Sequence, residues 1–447
     1  MINKDRNLSY PLVHPLRNFT VGLDLKQMVK GAGIYLEDND GKSYIDATSG
    51  LWNIPLGYAN NEINSQIIEQ LEQLPFVNLF ENCNPTTLKL AYKLLNLTGG
   101  LFEKVLFTCT GSESIEAAIK IARQYHRIKG NQGKYKLVSF DISYHGTYYG
   151  SMSASGLDQQ LTTFYEPKVP GFIFLQTPKT GISENNESKD DNLKSDLKRL
   201  EELFAKEAAT IAGFIVEPIL GSGGIIPIPK EYLKKVKELC IQHDVLLIYD
   251  EIATGFGRTG SMFAYEQSEI IPDILCLSKS INNGYLPLGA VLINHIVAEV
   301  YQLNHCYIEH FSTQNGNPTA CAAGIATIEI LQREHLSETV ALFGQKLINY
   351  LNGALAGHKN IGEIRGRGLM IGIELVKDSQ SKTCDLLSPE YIMNLYAKFK
   401  EKGLLVYAFL SPPYSAGISL FPPYIINDQD IDNILRVLVN VFNRFVV

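Results

Sequence analysis

Seven short apolar runs recur between residues 105 and 293: VLFT, KLVSF, FIFLQ, GFIVE, VLLIYD, ILCLS and GAVLI. Most are separated by segments long enough for a helix, such as Glu113–Lys129 and Lys230–His243. Runs this apolar are buried on both faces, and strands alternating with helices build a mostly parallel sheet covered on each side. The last two runs are joined by ten residues rich in Asn, Gly and Pro. That is too short for a parallel crossover, so the final strand is predicted to run antiparallel.

The chain ends read differently. Up to about residue 75 there are short strands punctuated by Gly and Asn, and one helix. After Gly316 come two helical segments, the strand-like MIGIEL and GISLF, and a closing helix from Asp428. The pattern predicts an α/β protein with a seven-stranded sheet in a large domain over residues 76–325. A small α+β domain would combine residues 1–75 and 326–447. The polar stretch Thr177–Lys198 reads as a surface excursion that leads into a helix.

Bulk properties exclude several function classes. A net charge of -7 over 447 residues argues against nucleic acid as a partner, because phosphate neutralisation needs a basic surface. No apolar run reaches the length of a membrane span, and Met1–Tyr10 lacks the apolar region of a signal peptide. Seven scattered cysteines show neither a disulfide framework nor a metal-binding pattern, which implies reduced thiols and a cytoplasmic location.

Four segments carry chemistry. In TCTGSESIEAAIKIAR, a strand ends in a small-residue turn that opens a helix. Thr110, Gly111 and Ser112 present hydroxyls and backbone N–H groups at its positive end, which suits an anion or simply caps the helix. In VLLIYDEIATGFGRTG, Asp250 closes an apolar strand, at the edge where α/β proteins bind ligands, or else caps the next turn. Gly255–Gly260 also fits the dinucleotide spacing GxGxxG, but the glycines do not abut the strand and no long amphipathic helix follows. In PDILCLSKSINNGYLPLGAV, Lys279 ends a buried strand before a Gly/Asn/Pro loop, as a solvated loop residue or an amine placed for covalent chemistry. In SYHGTYYG, Tyr144 offers an aromatic face or ordinary packing. An anion site, an aromatic plate, a carboxylate and a lysine at the ends of strands in one sheet are the parts that hold pyridoxal phosphate.

With these motifs in this order, and with GIYLEDNDGKSYIDATSGLWNIPLGYAN, VEPILGSGG, STQNGNP, IRGRGLMIGIEL and FPPYII, the sequence resembles the class III (omega-type) pyridoxal-phosphate aminotransferases of fold type I. The resemblance runs from about Gly33 to the last helix. It implies that Lys279 carries pyridoxal 5′-phosphate as a Schiff base and then moves the proton between substrate and cofactor. It implies that Asp250 keeps the pyridine nitrogen protonated, that Tyr144 stacks on the ring with His145 beside it, and that Ile252 packs the opposite face. Lys279, Asp250 and Tyr144 are the catalytic candidates. Thr110, Gly111 and Ser112 would grip the phosphate, and Glu217 would lie near the cofactor's hydroxyl side. Thr313 would reach the phosphate of a neighbouring subunit, giving a homodimer or dimer of dimers with shared sites. Trp52 would border the substrate pocket. The family needs no metal, although His305, Cys306 and His310 invite that reading.

The expected reaction moves an amino group from an amine or omega-amino donor to a keto acid or aldehyde. Racemases, aminomutases and decarboxylases of the same fold family are the alternative, and a nicotinamide dehydrogenase using Gly255–Gly260 is a more distant one. Relatives that use 2-oxoglutarate often carry a Glu after VEP and an Arg before Pro-Pro. Here Ser222 and Ser419 stand in those places, and Tyr407 follows Val406 where other relatives have an arginine. His14-Pro15 and FPPYII echo the diaminopelargonate enzymes, but Leu16 replaces their tyrosine. A small keto acid or an aldehyde is therefore the expected acceptor, with Arg17 or Arg365 as the places where a diacid would be gripped instead.

Overall fold

The computed structural model describes residues 12–17, 25–178, 189–380, 385–412 and 414–444. All seven apolar runs are strands of one sheet. They are β1 (Lys104–Thr108), β2 (Lys136–Phe140), β3 (Phe172–Leu175), β4 (Ile211–Val216), β5 (Leu246–Asp250), β6 (Ile274–Leu277) and β7 (Gly289–Ile293). The spatial order is β1-β7-β6-β5-β4-β2-β3. Every pair is parallel except those of β7, which runs antiparallel to both β6 and β1, as its short connection dictates.

Every residue of β4, β5, β6 and β7 is buried. Each fully buried Ile, Leu or Val contributes roughly 1.5–3 kcal/mol, so these four strands form a stiff platform. The ends of β1, β2, β4, β5 and β6 consequently lie along one edge with little freedom. The helix after β1, α1 (Gly111–Ile128), starts two residues before the predicted Glu113 because Thr110 caps it. It packs Ile115, Ala118, Ile119, Ala122 and Tyr125 inward at helical spacing.

The chain ends meet. Strands Met28–Ala32, Tyr35–Asp38 and Ser43–Asp46 form an antiparallel meander, and Leu404–Leu405 joins it in parallel. A second antiparallel sheet contains β8 (Ile361–Arg367), β9 (Met370–Leu375), β10 (Tyr407–Ser411) and β11 (Ser415–Leu420), in the order β8-β9-β11-β10. Leu410–Ala416 is the closed end of the β10–β11 hairpin. The closing helix spans Asp428–Arg444. Residues 179–188 of the surface excursion lie outside the described ones, and its end from Lys189 already belongs to the helix Lys189–Glu207.

Candidate active site

The strand ends bring Lys279, Asp250, His145, Glu217 and Tyr144 to one edge of the sheet. Asp250 is buried and accepts from His145 Nδ1 at 2.8 Å and from the Ile252 N–H at 3.1 Å. His145 Nε2 is buried without a partner among the described residues. Glu217, just past β4, accepts from the backbone N–H of Tyr144 at 3.0 Å and of Gly221 at 3.0 Å. Burial pushes its carboxyl well above the usual range, His145 pulls it down and Asp250 pushes it further up. Lys279 makes no hydrogen bond or ion pair among the described residues, and φ is +42° there. Burial lowers its ammonium pKa, against upward pulls from Asp250 and Glu217. The neighbouring Glu251 points elsewhere: it accepts from Ala264 N, Tyr265 N and Thr254 Oγ1, capping the short helix Ala264–Ser268. Asp250 itself holds the next turn through the Ile252 N–H, while Glu251 caps the later helix.

The start of α1 forms a cradle beside this edge. First-turn N–H groups of a helix lack intrahelical partners, so Gly111 and Ser112 present theirs at the positive end. Ser112 Oγ accepts from Thr147 N at 3.2 Å, which leaves its own proton to donate. Two glycines keep the space open. A Cβ on Gly111 would stand 2.9 Å from Ile252 Cδ1, and one on Gly146, where φ is +125°, would meet Ser112 Oγ at 2.3 Å. An unpartnered amine, a buried carboxylate and a helix-end anion cradle with room beside it fit a phosphorylated carbonyl compound with a basic ring nitrogen. Pyridoxal 5′-phosphate has those features.

Trp52 enters from the other end of the chain. Residues Ser49, Gly50, Leu51 and Trp52 all have positive φ, a left-handed turn that costs roughly 1–2 kcal/mol for each non-glycine residue. The turn is held by Asp46, whose carboxylate accepts from Thr48 N, Thr48 Oγ1, Gly50 N and Tyr58 Oη at 2.6–2.9 Å. It is also held by Arg258, which is fully buried. Arg258 donates to Ser49 Oγ, Leu369 O and Pro422 O, and its guanidinium lies 4.6 Å over the Tyr424 ring. The turn presents Trp52 stacked on Phe421 at 4.4 Å, with the Tyr407 ring edge-on at 5.3 Å. Lys279 Nζ stands 4.6 Å from the Trp52 ring centroid. Sequence reasoning missed Asp46, Arg258 and Phe421. The one available signal was the arginine inside Gly255–Gly260. That segment is a run of turns and opens no long helix, so the dinucleotide spacing is coincidental.

The far wall of the site is lined with hydroxyls, and the charges of Asp158 and Arg17 act on its Tyr407 in opposite directions. Burial pushes the Tyr407 phenol pKa up and the Ser222 side chain pulls it down, and Tyr407 pairs across the β10–β11 ladder with Ser419, whose hydroxyl donates to Tyr407 O at 3.5 Å. Arg365 is buried and fully engaged, by Gly224 O, Ile225 O, Ser415 Oγ, Glu363 and Glu374. Arg17 is exposed, and its charge pulls the Tyr407 phenol downward. Thr313 is exposed and makes no hydrogen bond among the described residues, so a single chain does not bring it into the cluster. Its neighbours reach the cradle from behind: Ser312 donates to Glu113, and His310 lies 3.3 Å from the same carboxylate. Cys306 turns instead to Asn304 O, so His305, Cys306 and His310 do not converge as ligands.

Comparison with known proteins agrees with this geometry. The family model for class III aminotransferases matches residues 22–442. The chain is 37% identical over 418 residues to the aminotransferase YhxA of Bacillus subtilis (strain 168), covering 92% of this chain and 91% of that protein. It is 34% identical to an omega-amino acid–pyruvate aminotransferase of Pseudomonas putida, covering 80% and 81%. The solved structure of a PLP-bound amine transaminase from an uncultivated Pseudomonas species superposes with a TM-score of 0.91 at 31% identity, covering 98% of this chain and 100% of that one. The chain belongs to the class III aminotransferases, and is a pyridoxal-phosphate-dependent aminotransferase of fold type I.

Proposed function

We propose that this chain moves an amino group from a primary amine or omega-amino donor to a small keto acid or an aldehyde, with Lys279 as the cofactor-binding and proton-carrying lysine. When bound, pyridoxal 5′-phosphate supplies the carbonyl that condenses with amines and the ring that takes up electrons. Burial shifts Lys279 toward its neutral form, the form that acts as a nucleophile and as a base for the proton on the amine-bearing carbon. Asp250, held in place by His145 and the Ile252 N–H, supplies the charge that keeps the ring nitrogen protonated. Thr110, Gly111 and Ser112 would hold the phosphate, Ile252 and Tyr144 would pack the ring, and Glu217 would lie near its hydroxyl.

The acceptor reading is supported by the hydroxyl-lined wall, where Asp158 offsets the charge of Arg17 at Tyr407. Where a diacid would need a free cation, the site offers the hydroxyls of Ser222, Tyr407 and Ser419, and every donor group of Arg365 is engaged. A hydrogen-bonded charge contact is worth about 1.5–3 kcal/mol, so its absence should favour a monoacid by roughly 10- to 150-fold. Specificity constants for pyruvate and 2-oxoglutarate with one shared donor test this. A clear preference for 2-oxoglutarate would overturn the reading and assign its second carboxylate to Arg17.

The working unit in this proposal is a homodimer, or a pair of dimers, in which Thr313 reaches the partner's phosphate. The exposed Thr313 and the exposed Phe80–Phe311 ring pair nearby, 5.8 Å apart, support it. The large domain would span 76–325 and the small one 1–75 with 326–447. Among the described residues no helix is long and apolar enough to cross a membrane, and the scattered cysteines favour the cytoplasm.

A further inference from the structure

Trp52 is the only tryptophan of the chain, and it is buried and packed on two rings in the site. Its backbone sits in a strained left-handed turn, Phe421 stacks behind it and Tyr407 braces its edge. A pocket wall alone needs only apolar bulk, which a leucine in relaxed backbone would supply. What the arrangement adds is an aromatic face aimed at the Lys279 amine, 4.6 Å away, which has no hydrogen-bond partner among the described residues.

We propose that the face of Trp52 seats the Lys279 ammonium whenever the lysine is not joined to the cofactor, which makes Trp52 a positioning residue for the proton transfers. The inference rests on the role given to Lys279 above. Once a donor amine displaces it, Lys279 must take a proton at Nζ, stay beside the reacting carbon and return the proton. Its flexible stem disfavours staying put. The two carboxylates within electrostatic reach, Asp250 and Glu217, are also the wrong resting places, because an ion pair there would draw Asp250 away from the ring nitrogen. An aromatic face attracts the cation without neutralising either carboxylate.

The test uses the single tryptophan as its own reporter. Wild-type protein and Lys279→Met are loaded with pyridoxamine 5′-phosphate, in whose presence the lysine is free, and emission is followed against pH. The wild type should show a transition that Lys279→Met lacks. Glu217, Asp250, His145, Tyr144 and Tyr407, the other titratable groups facing Lys279 and Trp52, remain in both proteins, so a transition common to both belongs to them. In single-turnover mixing with n-propylamine, too small to need the pocket wall, Trp52→Leu should slow the half-reaction by about 2- to 30-fold. Its acid limb should move to lower pH, because the ammonium loses a stabilising contact, and Trp52→Phe should recover most of the rate. Identical emission profiles, or a Trp52→Leu rate and pH limb equal to wild type, would overturn the seat. Borohydride labelling of Lys279 alongside that result would leave its cofactor role intact, whereas labelling of another lysine would remove both.

Discussion

The two walls of the cleft are built by opposite means. On one side, Lys279, Asp250 and Glu217 follow the ends of strands whose every residue is buried, and His145, in the loop after β2, is tied to Asp250. On the other, Trp52 is held by a strained turn that needs Asp46 from the meander, Arg258 from the turns after β5, and Phe421 from the end of β11. The first wall is local and stiff, while the second is a junction of three distant segments. Chemistry common to a large family is expected on the stiff wall, and substrate choice on the assembled one, where small changes in any segment move the same ring.

The largest effect should come from breaking the stiff wall. Lys279→Ala should abolish turnover and leave the melting temperature close to wild type, because the amine makes no hydrogen bond that the fold relies on. Mixed with Thr313→Ala, it should partly recover activity on subunit exchange, since both defects then fall in one of two shared sites. An active monomer by ultracentrifugation, or no recovery, would count against sharing.

Asp250→Asn comes next. The amide keeps the shape but loses the charge facing the ring nitrogen, and the half-reaction should slow on the order of 10²- to 10³-fold, the scale of removing one preorganised charge contact. Stopped-flow rates near wild type would reduce Asp250 to a turn-capping residue.

Arg258→Met should have the smallest catalytic effect but a visible structural one. It leaves Leu369 O, Pro422 O and Ser49 Oγ without their donor, at roughly 1–3 kcal/mol for each buried group left unpaired. Denaturant unfolding should register that loss, while KM for bulky donors shifts more than kcat for small ones. A variant with unchanged stability and unchanged donor range would mean that the turn holds itself.

The same division decides what the sequence could reveal. All seven main-sheet strands were legible because each is an uninterrupted apolar run, and the antiparallel β7 because its connection is short. Lys279 and Asp250 each had an ordinary structural reading, and stood out because they fall with Thr110–Ser112 and Tyr144 at the ends of strands in one sheet. By contrast, β8 (IGEIRGR) and β10 (YAFLS) gave no clear period, since both are edge strands with many half-buried residues rather than a clean alternation. Arg258 was hidden inside a spacing that suggests a nucleotide site. Its partners are a hydroxyl and two backbone carbonyls more than a hundred residues away, which no local pattern encodes.

The account rests most directly on which lysine bonds the cofactor. Borohydride reduction of the purified holoenzyme followed by peptide mapping would fix the cofactor to one side chain. The account predicts a single pyridoxyl adduct on Lys279, in the peptide containing LSKSINNGY. An adduct on any other lysine, with Lys279 unmodified, would contradict it.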